Sequence, residues 1–444
     1  TFWDFVRAFH TWRIIDEGSE QGGRTMKNLF VLVVSMIVTS FSCQTAPQEK
    51  WEMFTGYKIA AYTDTIVVGT TYGDCAGGYI SFFEYKDKDW EQTASFDLTL
   101  LAKGYRGPVS IQLNDRHAVI GLDGKRGTPG AILLLHKENG KWQIGSLFQA
   151  PDKEPDDKFG FVTSLHENTL VVGVDKESVY RGCVYIFDLS TTQPILLQKI
   201  SNREGEKYES LGSSVHLYEN LLAVGMSGYN YERNQTAGTK LPQGKIILYR
   251  LTDGEWKEVQ TLYDFEGHQR RFRLGETVFF DNEKLITYDR IQIFSFTKNR
   301  DGFFEKPVEL DTKDSAVLGM SIFADKLAFC SYTGSSTDNS VGRVSLFTNN
   351  GIEWNLQKEF LHTDFYGGTR LYFGQEIALF GNVLLITDPG NSPGYMDVST
   401  AAPAPGKVHI IRFAEDGTYA YKGMIIRWYD DESKLIFGVT HPEK

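Results

Sequence analysis

The chain has 444 residues, 41% of them hydrophobic and 14% aromatic, with 43 glycines and a formal net charge of −11 at pH 7. That content can bury a large core and leans towards β structure. The acidic balance argues against nucleic acid as a partner, because a polyanionic backbone needs a clustered Lys/Arg surface.

Residues 1–25 show no clear period and lie upstream of the first methionine, Met26. They are expected to sit outside the fold, as a by-product of where the reading frame starts. From Met26, Lys27 leads into LFVLVVSMIV (Leu29 to Val38) and then TSFSC. A basic start, a short apolar run and small residues before a cysteine read as a secretory signal over 26–42. The run is too short for a membrane span. Ser42-Cys43 is similar to the end of a bacterial lipobox, although Phe41 is bulky and Ser40 stands where such boxes carry Leu. The expectation is lipidation at Cys43, a tether over 43–50, and a protein anchored to the bacterial cell envelope, facing periplasm or exterior. The alternative is an ordinary secretory signal cleaved near Ser42. Cys75, Cys183 and Cys330 then remain, an odd number without metal-ligand spacing, and are expected to be small buried thiols.

From Trp51 the sequence repeats. A glycine, aromatic-flanked in its clearest copies, marks each unit: Gly56, Gly107, Gly160, Gly212, Gly275, Gly319 and Gly374. The spacings are 51, 53, 52, 63, 44 and 55 residues. Each marker opens one apolar run. A second follows, as in TIVVG (65–69), LVVG (170–173), KLITY (284–288) and VLLIT (383–387). A third follows that, as in GYISFFEY (78–85) and GCVYIFDL (182–189). The runs are too short for typical helices and rich in β-branched and aromatic residues, which reads as strands. A fourth segment opens after Asn-Gly or Asp-Gly, in KENGKW, LTDGEW and EDGTY, where positive φ makes a tight hairpin and an aromatic follows. One unit is therefore four consecutive antiparallel strands. Stacking such units face to face around an axis buries their faces. Seven of them predict an all-β fold, a seven-bladed β-propeller of four-stranded antiparallel blades, over residues 51–426, with a C-terminal tail at 427–444.

The pattern FG…V…N-LVVG…G-x-VYIF resembles the FG-GAP repeat, the unit of integrin-α-type propellers and of many bacterial envelope proteins. The resemblance covers roughly Trp51 to Ile425 and is weakest in the fifth repeat, which lacks the VG pair. Some integrin-type repeats carry a D-x-[DN]-x-D-G calcium loop between second and third strands. The corresponding loops here, among them TTYGDCAG, LDGKRGTP and VDKESVYR, lack alternating acidic oxygens ending in glycine, so no calcium is carried over. The marker glycines read as architecture, at the point where blades crowd most closely.

Strand direction puts the second-to-third loops and the fourth-to-first links on one face. These vary widely in length, and variable loops on a rigid scaffold are where binding tends to reside. The loop 225–244 carries Tyr229, Tyr231 and Arg233, and the loop 388–406 carries Tyr395 and Asp397. The links carry Tyr105 and Arg106, Arg271 and Arg273, and Tyr366, Arg370 and Tyr372. Tyr and Arg are the residues that binding hot spots favour. Each of them has a plainer role available, as packing aromatic or solubilising charge at a blade junction. The loop 226–243 is expected to fold over the face, so that Tyr229, Tyr231 and Arg233 meet Arg271 and Arg273 in a positively biased patch for an anionic or sugar ligand.

Catalytic signatures are missing: no G-x-S-x-G, no H-E-x-x-H and no P-loop. His166 and His216, near first-strand ends, are expected at the surface. Carboxylate neighbours such as Asp156-Asp157 and Asp430-Asp431 usually point apart, whereas a glycosidase needs two facing one bond. The leading expectation is an envelope-tethered, non-enzymatic propeller without cofactor or metal, binding a protein or glycan. The alternatives are a hydrolase or lyase acting on polysaccharide or phosphoester at the central channel, and a structural subunit of an envelope complex docking through blade edges.

Overall fold

The structure, a computed structural model, describes residues 53–440 except 73–76, 126, 153–156, 176–180, 203–208, 229–243, 264–273, 281–282, 289–291, 306, 311, 313–315, 334–340, 352, 362–363, 365–372, 389–405, 415–417 and 430–434. Blade 1 is β1 (Met53–Tyr62), β2 (Thr65–Tyr72), β3 (Tyr79–Lys86) and β4 (Asp89–Asp97), followed by one helical turn, α1 (Leu98–Leu101). Blade 2 is β5 (Tyr105–Leu113), β6 (His117–Gly124), β7 (Ala131–Glu138) and β8 (Lys141–Phe148). Blade 3 is β9 (Val162–His166), β10 (Thr169–Val174), β11 (Cys183–Asp188) and β12 (Ile195–Ser201). Blade 4 is β13 (Leu211–Tyr218), β14 (Leu221–Met226), β15 (Lys245–Thr252) and β16 (Glu255–Tyr263). Blade 5 is β17 (Thr277–Phe280), β18 (Lys284–Tyr288), β19 (Ile293–Thr297) and β20 (Val308–Leu310). Blade 6 is β21 (Ala316–Phe323), β22 (Lys326–Thr333), β23 (Val341–Asn349) and β24 (Trp354–Leu361). Blade 7 is β25 (Ile377–Phe380), β26 (Val383–Asp388), β27 (Lys407–Phe413), β28 (Tyr419–Tyr429) and β29 (Leu435–Thr440).

Strand order in every sheet equals chain order. Each first strand touches the first strand of the next blade, and β25 touches β1, which closes a ring with the first strands innermost. This is the seven-bladed β-propeller that the period predicts. The difference is at the C-terminus. The expected boundary at 426 falls inside β28, and the segment expected as a tail adds β29 as a fifth strand.

The hydrophobic core is distributed between the blades. Seven apolar clusters are found, one at each junction. The second and third strands are therefore buried on both flanks, and β6 is buried along its whole length. The hairpins into the fourth strands are as expected: Asn139-Gly140 and Asp253-Gly254 have φ of 50°, 74°, 55° and 80°. The aromatic after each turn anchors the blade to the one before it. Trp142 stacks on Phe82 of blade 1 at 4.6 Å between centroids. Trp354 Nε1 donates to Ser295 Oγ of blade 5 at 3.1 Å. Tyr419 meets Phe360 of blade 6 edge-on at 5.4 Å.

The marker glycines have partners that the sequence reading leaves out. A Cβ on Gly173, the glycine of LVVG in blade 3, would lie 2.2 Å from the carbonyl oxygen of marker Gly212 in blade 4. The same holds for Gly121 against Gly160 (1.8 Å) and Gly225 against Gly275 (2.0 Å). Backbone thus rests on backbone across these junctions, with no room for a side chain. Ser110 Oγ donates to Gly160 O at 2.6 Å and Ser214 Oγ to Gly275 O at 2.8 Å, which satisfies carbonyls exposed by that approach.

Six of the seven fourth strands hold one more residue than the third strand they pair with. The extra residue is Thr93, Leu197, Val259, Gln357 or Lys422 in blades 1, 3, 4, 6 and 7, and lies within Gly145–Ser146 in blade 2. β20, only three residues long, has none.

Candidate binding face

The strands run so that the second-to-third loops and fourth-to-first links share one face, while the other face carries short turns. Tyr229, Tyr231, Arg233, Arg271, Arg273, Tyr366, Arg370, Tyr372, Tyr395 and Asp397 lie outside the described residues, as does Cys43. Of the residues singled out for this face, Tyr105 and Arg106 are described.

Tyr105 opens β5 and belongs to the core. It is 9% exposed and packs with Leu98 and Ala102 of the α1 segment. Its hydroxyl accepts from Gln149 Nε2 at 2.8 Å, and burial pushes the phenol above its ordinary value. Asp97 caps α1 by accepting from Thr99 N at 2.8 Å, which fixes the turn that delivers Tyr105 inward. Arg106, next in the strand, points to solvent. Its guanidinium is 3.6 Å from Asp123, and Lys158 Nζ reaches the same carboxylate at 2.8 Å from the link into blade 3. Asp123 is buried at the end of β6. Two cations therefore share one carboxylate at this junction, a local positive excess on an acidic protein. Lys158 also lies 4.5 Å from the centroid of Phe161.

Similar polar contacts ring the inner rim of this face. Lys58, beside marker Gly56, pairs with Glu376, beside marker Gly374. Asn202 Nδ2 donates to Glu209 at 2.6 Å, and Lys245 approaches the same carboxylate at 3.7 Å. Glu276 and Glu376, just ahead of β17 and β25, both act on the Tyr288 phenol, which burial pushes up. Asp157 is buried, with its carbonyl accepting from Gly130 N at 2.7 Å. Among the described residues no three His, Cys, Asp or Glu side chains come together as a metal site. Cys183 and Cys330 are buried thiols, and Cys330 Sγ donates to Gly319 O at 3.4 Å; Cys75 lies outside the described residues.

The opposite end of the inner strands is aromatic. Tyr62, His166, Tyr218, Phe280, Phe323 and Phe380 each end a first strand, and Leu113 ends the seventh. Neighbours touch across junctions: Tyr62–Phe380 at 5.0 Å, Phe323–Phe380 at 4.5 Å and His166–Tyr218 at 5.4 Å. This collar is readable in the sequence as the residue before each first turn. His216, expected at the surface, is half-buried. It sits against Phe279 and Phe280 at 5.5 and 5.3 Å, and burial pushes its imidazole down to about 4. Its hydrogen bond to the Phe280 backbone works in the other direction, and His166 adds to the depression.

No family model matches the chain, and no curated protein matches it in sequence. Among solved structures it is similar to the β-propeller domain of the trilobed protease from Pyrococcus furiosus. The identity is 9% and the TM-score 0.45, over 83% of this chain and 95% of that one. It is also similar to KlHsv2 carrying a Gly-Ser linker in place of loop 6CD, at 13% identity and a TM-score of 0.45, over 88% and 98%. A protein from Lactobacillus plantarum gives 11% identity and a TM-score of 0.42, over 68% and 83%.

Proposed function

We propose that the chain is an FG-GAP-like propeller, held at the bacterial envelope by a lipid on Cys43, that binds a protein or glycan through its variable-loop face without catalysing a reaction. The observation that carries this reading is the contrast between the two faces. Short regular turns and packed aromatics end one; the other carries connections of unequal length in the sequence and a rim of ion pairs in which Arg106 and Lys158 share Asp123. A rigid ring with a charged rim under variable loops suits recognition by bidentate hydrogen bonds from Arg and stacking on Tyr.

The test is capture from the native envelope with the wild-type chain and with Tyr231→Ala/Arg233→Ala. The wild type should retain a specific protein or glycan, the variant should lose it, and the melting temperature should stay within about 2 °C, the reading being that these side chains serve a ligand and not the core. Turnover of a polysaccharide or phosphoester by the purified chain would replace this reading with the hydrolytic one. The anchor is tested separately. Expressed in bacteria from Met26, the protein should take up a fatty-acid probe and fractionate with membranes, and Cys43→Ser should abolish both. Equal labelling of the two forms would remove the anchor while leaving the binding face untouched.

A further inference from the structure

The junction between blade 7 and blade 1 is the one that no link between consecutive strands spans, and this is independent of what the loop face binds. Among the described residues no strand crosses it, since blade 1 is built from β1–β4 and blade 7 from β25–β29. The backbone interlock of blades 2/3, 3/4 and 4/5 is not universal in the ring: Tyr288 and Cys330 stand at the glycine position in blades 5 and 6, as Thr387 does in blade 7. Thr387 ends the VLLIT run where Gly121, Gly173 and Gly225 end theirs. Its hydroxyl is used within its own blade, accepting from Glu376 N at 2.9 Å and donating to Glu376 O at 3.1 Å. The two blades are also the furthest apart in the chain, so they meet without help from local connectivity and with the largest loop-closure cost. A ring of repeats is weakest at such a place, where local opening takes the least free energy.

The contacts at the seam run from the axis outward. Lys58 pairs with Glu376, and Tyr62 meets Phe380. A shared cluster joins Ile59, Val68 and Trp90 to Leu385, Val408 and Ile425. Arg412 lies over the Tyr85 ring at 4.6 Å. At the outside stands β29, the strand beyond the sevenfold plan. It pairs antiparallel with β28 from Met424↔Thr440 to Tyr429↔Leu435. It also lies against β4, the outer strand of blade 1, and Val439 packs on the shared cluster.

We propose that β29 is a clasp: backbone pairing fixes it to blade 7, and Val439 presses it onto blade 1, so that the last strand of the chain holds the ring shut. Elsewhere in the ring the fourth strand suffices as an outer edge. At the seam the fifth strand adds a cross-junction contact where no chain link joins the two blades.

The test is amide hydrogen exchange, read strand by strand, on the full chain, on Val439→Asp and on a chain ending at residue 434. In both variants β1 and β4 should exchange about tenfold faster, while β9 to β16, on the far side of the ring, keep their rates. If the shortened chain does not fold, Val439→Asp alone decides. Unchanged rates in β1 and β4 of Val439→Asp would overturn the proposal and leave β29 as an appendage of blade 7. An equal rise in every blade would overturn it too, since that reports global destabilisation and no local seam.

Discussion

Gly173→Ala is expected to destabilise the protein by roughly 3 kcal/mol or more, at or above the upper end of ordinary overpacking. Gly140→Ala should cost only about 1 kcal/mol. The contrast separates two reasons for a glycine. Gly140 needs its φ of 74° for the hairpin turn, but a Cβ there meets nothing within 4 Å. At Gly173 the added methyl would be 2.2 Å from Gly212 O and 3.0 Å from the Gly212 carbonyl carbon, both of them backbone. No rotamer change relieves that contact; blades 3 and 4 must separate along the inner strands. Urea unfolding reads the difference as a shift in midpoint at constant slope. Equal losses for the two variants would mean that the junction has slack and that the interlock does not require glycine.

Acidification is expected to remove up to about 3 kcal/mol of stability through His216 alone. The folded imidazole is pushed down to about 4 from an ordinary 6.5. Between those values the unfolded chain binds a proton that the folded chain refuses. Stability is therefore complete above pH 6.5, falls as the pH drops towards 4, and levels off below that. His117, whose imidazole burial also lowers, adds in the same direction. Glu84 and Asp152 are held low by their lysine and tyrosine partners against the upward push of burial, and they lose their contribution only at more acid pH. Melting curves from pH 7.5 to 4.5 for wild type and His216→Phe isolate the effect. The variant should show a shallower decline, whatever its absolute stability. Parallel curves would mean that His216 accepts its proton in the folded state.

The fold was legible because one physical problem is solved seven times. Six of the seven blades place an aromatic after the outer hairpin, blade 3 with Ile195 being the exception, and most place a small residue where inner strands cross. Trp142, Trp354 and Tyr419 therefore recur in register with the glycines. What does not recur is harder to read. LIFGVT at 435–440 has no marker and no copy elsewhere, so nothing in the period announces β29. His216 looked like a strand-end surface residue because the rings that cover it, Phe279 and Phe280, come from the following repeat. Tyr105 stood beside an exposed arginine in the sequence, but a helical turn capped by Asp97 swings it into the core. The other candidate residues, Tyr231 and Asp397 among them, lie outside the described residues on connections that have no copy in the other repeats, so the sevenfold pattern says nothing about where they point.

The extra residue in the outer strands of blades 1, 2, 3, 4 and 6 bears on how these molecules tolerate crowding. A propeller exposes seven strand edges, each a row of unsatisfied amides and carbonyls, and a flat edge invites another molecule to zip onto it. An inserted residue kinks the strand and increases its twist, so the donors and acceptors no longer lie in a line that a straight partner can match. The most apolar edge is β12, where Ile195, Leu196 and Leu197 are 48%, 39% and 57% exposed. Its inserted residue is Leu197 itself, within the run most prone to fibrous stacking. Blade 5 reaches the same end by brevity, with an edge of three residues that offers too few bonds to hold a neighbour. The outer edges of the ring thus resist pairing with a flat copy of the same molecule.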